Sequence, residues 1–118
     1  MRILSWGMAK ASGLVAEIDF GAVPVMSGVF VLIRKGCVPG GTKANFDYAK
    51  GFVKWGDSFK DEEMLLLADA QTSGGLLMSV PVEKKEKVLK LLEREKTLAC
   101  AIIGRMVSGE KGEIHIRR

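Results

Sequence analysis

The stretch from Leu65 to Pro81 constrains this chain more than any other. It divides into an apolar helix end, a polar turn and a short apolar run. Asp69, Gln71, Thr72 and Ser73 carry side chains that hydrogen-bond nearby backbone and favour turns over helix interiors. Gly74 and Gly75 accept positive φ and leave room for close approach of another backbone or a ligand. Leu76, Leu77, Met78 and Val80 form a near-continuous apolar run, which predicts a strand covered on both faces. Pro81 would end its ladder, having no N–H to donate.

Two readings of the turn stay open. In one, the glycines serve the packing of a helix-to-strand connection. In the other, Thr72, Ser73, Gly74 and Gly75 form an anion cradle of backbone N–H groups and hydroxyls. A phosphate cradle ordinarily opens a helix, whereas this turn opens a strand, and that weighs toward packing.

At 118 residues the chain is the size of one domain, residues 1–118, with enough length to bury a core. Apolar residues at 47% and charged residues at 27% place it with ordinary soluble globular proteins. The net charge of +4 favours solubility, but scattered aromatics and no clustered basic patch argue against nucleic acid as a partner. No run approaches the roughly 18 apolar residues of a membrane span, and the opening Met1–Met8 is too short for a signal peptide's apolar core. Cytoplasm and no membrane are the expectations. Cys37 and Cys100 lie far apart, and with one histidine they fall short of the about four ligands of a zinc site, so no metal site is expected. Cys100 is expected to be buried in a strand.

In chain order, Ile3–Ser12 predicts a short helix ending at Gly13. It lacks a capping start, so residues 1–12 read as a truncated leading helix. Leu14–Asp19 predicts a strand, followed by a turn at Gly21–Pro24. Val29–Ile33 is β-branched, yet Ser27 as a cap and Arg34-Lys35-Gly36 as a terminus favour a helix. Gly36–Lys43 invites a nucleotide-binding reading, but Thr42 precedes Lys43 where a P-loop needs the reverse order. A helix starting at Gly41 or Thr42 and running to Ala49 is the better expectation.

Phe52–Trp55 reads as an edge strand. Ser58 is a candidate cap for a helix with Asp61, Glu62 and Glu63 near its positive end. Glu83–Lys96 is the clearest helix, with Val88, Leu91 and Leu92 in an apolar stripe and charges on the remaining faces. Ala99–Val107 predicts a buried strand, Ser108–Gly112 a hairpin loop and Glu113–Arg117 a half-exposed strand. His115 falls on the face opposite Ile114 and Ile116 and reads as a surface histidine without a partner for general-base work. This order gives an α+β fold in which helices pack on a mixed sheet.

The run Asp69-Ala70-Gln71-Thr72-Ser73-Gly74-Gly75-Leu76-Leu77 resembles the Asp-Pro-Gln-Thr-Ser-Gly-Gly-Leu-Leu motif of selenophosphate synthetase (selenide, water dikinase). Val38-Pro39-Gly40-Gly41-Thr42, with Asn45 trailing, is similar to a second motif of that family, and Ala101–Val107 fits its closing segment. The likeness runs from about Met8 to Arg118; Ala70 in place of proline is the motif departure.

The resemblance implies a fold like the C-terminal domain of the aminoimidazole ribonucleotide synthetase superfamily. It also implies a family reaction that turns ATP, selenide and water into selenophosphate, AMP and phosphate with magnesium. The family's first domain supplies the Cys or selenocysteine, the catalytic Lys and most metal-binding aspartates, so no catalytic residue is expected in this chain. The metal-binding Asp-Val-Thr-Gly-Phe-Gly element should lie just before Met8, where Arg2–Gly7 offers no carboxylate. The expected partners are the missing N-terminal ATP-binding domain or a second copy. Ile3, Leu4, Trp6 and Met8 are the candidates for an exposed, self-associating face.

Overall fold

The computed structural model describes residues 2–69, 75–109 and 112–118, with side chains from residue 6 onward in the first helix. The leading helix α1 (Arg2–Ser12) ends as expected. Gly13 takes φ +69°, and the amide of Leu14 returns to the carbonyl of Ala9 at 3.0 Å, closing the helix end.

Strand β1 (Val15–Asp19) runs into a single 3-10 turn at Phe20–Ala22, where Asp19 Oδ1 accepts from the Gly21 amide. Helix α2 (Val29–Arg34) resolves the ambiguous run as a helix. Its cap is Gly28 at φ +82°, not Ser27, because a positive φ at that corner suits glycine better than serine. Helix α3 (Gly40–Ala49) starts directly after Pro39, and β2 (Val53–Trp55) follows.

Helix α4 (Asp61–Ala68) is capped by Lys60 rather than Ser58. The Glu63 carboxylate, three residues in, bonds back to the Lys60 amide at 2.8 Å. Ser58 sits at φ +69°, two residues too early for capping, and its carbonyl instead receives Arg118. Beyond the turn, a 3-10 segment at Val82–Lys84 leads into α5 (Lys85–Arg94), and β3 (Gly104–Val107) and β4 (Ile114–Arg117) close the chain.

The strands make a four-stranded mixed sheet in the order β2-β4-β1-β3. β4 runs parallel to both β1 and β2, while β3 runs antiparallel to β1. The expected closing hairpin is therefore absent from the sheet: β1 lies between β3 and β4. Gly104 shows why β3 can dock so closely, since a Cβ there would fall on the carbonyl of Glu17. β2 is an edge strand, as its shortness implied.

One face of the sheet carries Val53, Ile114, Ala16, Ile18 and Ile116, all buried, and with Ala9, Ala49 and Leu67 they form the core. The packing leaves a small apolar void of about 20 Å³, lined in part by Ile18, Phe46, Leu67 and Ile114. The opposite face carries Lys54, His115, Glu17 and Arg105 in one register row across all four strands. Period-2 alternation in β4 thus places Ile114 and Ile116 inward and His115 outward, as expected.

Two apolar stretches depart from expectation. Residues 76–81 form no strand, and Leu76 is 83% exposed. Apolar content records what a segment can bury, and the described chain half-covers only Leu77 and Val80 of this one. Similarly, only Gly104–Val107 of the Ala99–Val107 run is strand, and Cys100 is half-exposed instead of buried. The stripe on α5 is half-covered at Val88 and Leu92, with Leu91 exposed.

Candidate functional site

Of the expected cradle, Thr72, Ser73 and Gly74 lie outside the described residues. Gly75 is exposed, and a Cβ there would meet nothing within 4 Å, so no backbone of the described chain approaches it closely. What the fold does assemble is the entry to this stretch.

Pro39 fixes the start of α3, its carbonyl accepting from the amides of Thr42 at 3.0 Å and Lys43 at 3.4 Å. That geometry turns Thr42 inward, to 2% exposure, and leaves Lys43 on the surface. Thr42 Oγ1 donates to Asp69 Oδ1 at 2.9 Å. One turn further along α3, Asn45 Nδ2 donates to the carbonyl of Ala68 at 3.3 Å. Two segments 27 residues apart in sequence, each identified above by its motif, thus meet through side chains of a single helix face. The swapped Thr42-Lys43 order has its explanation here: the threonine is a buried contact to α4, and nothing in α3 presents a P-loop lysine.

Two of the three carboxylates of α4, Glu62 and Glu63, are already engaged. Glu62 receives both Nε and Nη2 of Arg34 on α2, at 2.7 and 2.9 Å, and this hydrogen-bonded guanidinium holds its carboxyl below the ordinary range. Glu63 accepts from the Lys60 amide and from Arg118 Nη2 at 2.8 Å, and the amide bond first and the guanidinium second lower its pKa. Among the described residues, no three of His, Cys, Asp and Glu converge as a metal ion would need.

On the outer face of the sheet, Glu113 bridges Lys54 Nζ at 2.7 Å and His115 Nε2 at 2.8 Å. His115 therefore does have a carboxylate partner, Glu113, which strand alternation places two residues away on the same face. Glu17 binds Arg105 at 2.6 Å and Arg117 at 3.2 Å, and the Arg105 bond is the main reason its pKa is lowered. These groups satisfy each other at the surface.

Trp6 is not an exposed docking residue. It stacks on Phe52 with centroids 4.8 Å apart and meets Tyr48 edge-on at 5.8 Å, within its own chain. Met8 is half-covered, and the side chains of Ile3 and Leu4 lie outside those described.

A family model described as AIR synthase related protein, C-terminal domain, matches residues 7–117. The chain belongs to that family. The AIR synthase related C-terminal domain accounts for the mixed sheet with packed helices and for nearly the whole length. Among curated relatives, the chain is 40% identical over 87% of its length to the selenide, water dikinase of Carboxydothermus hydrogenoformans. It is 35% identical over 96% of its length to that of Caldanaerobacter subterraneus subsp. tengcongensis, and 40% identical over 85% to that of Photobacterium profundum. It spans 29%, 33% and 28% of these three relatives. The resemblance carried by the two motifs is thus matched across most of the chain.

Proposed function

We propose that this chain serves as the C-terminal-type domain of a selenide, water dikinase and works only with an ATP-binding half. The reading is carried by the Thr42–Asp69 contact, which joins the two segments that bear the likeness to that enzyme. Phosphoryl transfer from ATP depends on metal-assisted charge neutralisation and on positioning. Glu62 and Glu63 of α4 are neutralised by Arg34 and Arg118, and in this reading the metal-binding and nucleophilic groups come from the partner half. The Thr72–Gly75 segment then serves as an anion contact or as part of the domain interface. ATP and magnesium belong to the assembled enzyme, which works in the cytoplasm; among the described residues no helix is long and apolar enough to cross a membrane.

Calorimetry tests this reading. Titrating MgATP into the chain alone gives no saturable heat, and tight magnesium-dependent uptake would overturn it.

A second reading is favoured by one observation. Leu76 and Val82 are 83% exposed and Leu98 is fully exposed, a run of large apolar side chains without cover in the described chain. In this reading the chain is a non-catalytic module that pairs with a second copy, and residues 76–98 contribute to the self-associating face. A chain that stays monomeric at high concentration would remove it.

A further inference from the structure

We propose that Thr42 and Asn45 are positioning residues that decide where α4 ends and how the chain enters the Asp69–Gly75 segment. The proposal rests on the reading that this segment carries the functional contact of the domain, and it assigns a task to α3 that neither motif shows by itself.

The end of α4 is only partly specified locally, by the turn-favouring Asp69 and its amide bond to the Leu66 carbonyl. Its last turn, Leu65–Ala68, holds good helix formers and no basic side chain, and no glycine follows to provide a left-handed terminus. The final carbonyls of any helix need donor partners from elsewhere. Here the rest of the stop comes from α3. Asn45 takes the carbonyl of Ala68, and Thr42 takes the carboxylate of Asp69, where the backbone has already turned extended at φ −56°, ψ 131°.

Both donors lie on one face of α3, three residues apart, so one rigid helix turn fixes two successive residues of the exit. Thr42 is almost completely buried, which shields its bond from competing water. Its amide is tied in turn to Pro39, so the Val38–Asn45 segment and the end of α4 are held as one unit.

The test is amide hydrogen exchange on the whole chain, comparing wild type with Thr42→Val, Thr42→Ser and Asn45→Ala. The Asp69 amide, bonded to Leu66 at 3.2 Å, reports on the helix end, and the β1–β4 ladder reports on global stability. Thr42→Val speeds exchange at Leu66–Asp69 by about tenfold, the scale of losing a hydrogen bond to a charged group, with the ladder unchanged. Thr42→Ser keeps the hydroxyl and restores the protection; a purely space-filling threonine would give the opposite ranking, valine replacing it and serine not. Should the valine variant fail to fold, the half-exposed Asn45→Ala carries the same readout. Unchanged exchange at Leu66–Asp69 in these variants, or a loss shared equally with the ladder, would overturn the proposal. Titrating inorganic phosphate while following the Gly75 amide tests the anion reading separately: no shift there removes the anion contact and leaves the positioning result standing.

Discussion

Arg34 and Glu62 meet fork to carboxylate, Nε to Oε2 at 2.7 Å and Nη2 to Oε1 at 2.9 Å, and the pair pins α2 onto α4. Helix α2 has six residues, no buried side chain and no side-chain cap, so it is too short to persist without such contacts. Arg34→Lys keeps the charge and loses the two-pronged geometry. It is expected to raise amide exchange across Val29–Arg34 while leaving the sheet amides protected. Exchange unchanged in α2 would show that packing alone holds the helix.

Acid should loosen the molecule through three surface carboxylates. Glu17, Glu62 and Glu63 all have pKa values held below the ordinary 4.5, by Arg105, by Arg34, and by the Lys60 amide with Arg118. A lowered folded-state pKa contributes stability that is present above the unfolded value and lost as pH falls through the folded one. The melting temperature is therefore expected to hold above about pH 4.5 and to fall below it. Replacing all three by glutamine should lower the plateau and flatten the acid limb. A limb of the same steepness in the triple variant would assign acid sensitivity to other groups.

The centre of the core is Ile114, 1% exposed on β4 between β1 and β2. Ile114→Val is expected to cost about 0.5–1.5 kcal/mol and Ile114→Ala about 2–5 kcal/mol, because the deletion enlarges a void already lined by Ile114. Urea unfolding measures both. Equal costs for the two variants would mean that the neighbouring helices collapse into the space.

At Gly104 the constraint is the reverse. Gly104→Ala puts a methyl group onto the Glu17 carbonyl, so β3 must shift away from β1. A loss of about 1–3 kcal/mol is expected, with exchange rising in the β1–β3 ladder before the β1–β4 ladder. A neutral substitution would contradict the tight register between these strands.

Much of the architecture was legible from period and punctuation. Gly13 ends α1, alternation places Ile114 and Ile116 inward, and the α2 run is helical despite its β-branched content. Boundaries set by tertiary contacts were not. The caps moved from Ser27 and Ser58 to Gly28 and Lys60, because backbone conformation at those corners depends on what the following helix packs against. Residues 76–80 and 99–103 have the composition of buried strands, yet in the described chain only Leu77, Val80, Cys100 and Ile103 are half-covered and none is buried. The hairpin expectation failed because a glycine-bounded loop does not reveal that β1 fills the gap between β3 and β4. At the candidate site, both motifs were visible, but no periodicity links Thr42 to Asp69; that contact belongs to the packing of α3 on α4.

The most direct test is AMP formation from MgATP and selenide, measured with this chain alone, with the separately prepared ATP-binding half of a selenide, water dikinase, and with both together. The account predicts no AMP above blank from the chain alone, and more AMP from the mixture than from the ATP-binding half by itself. Sustained AMP production by the lone chain, or a mixture no more active than its ATP-binding half, would contradict it.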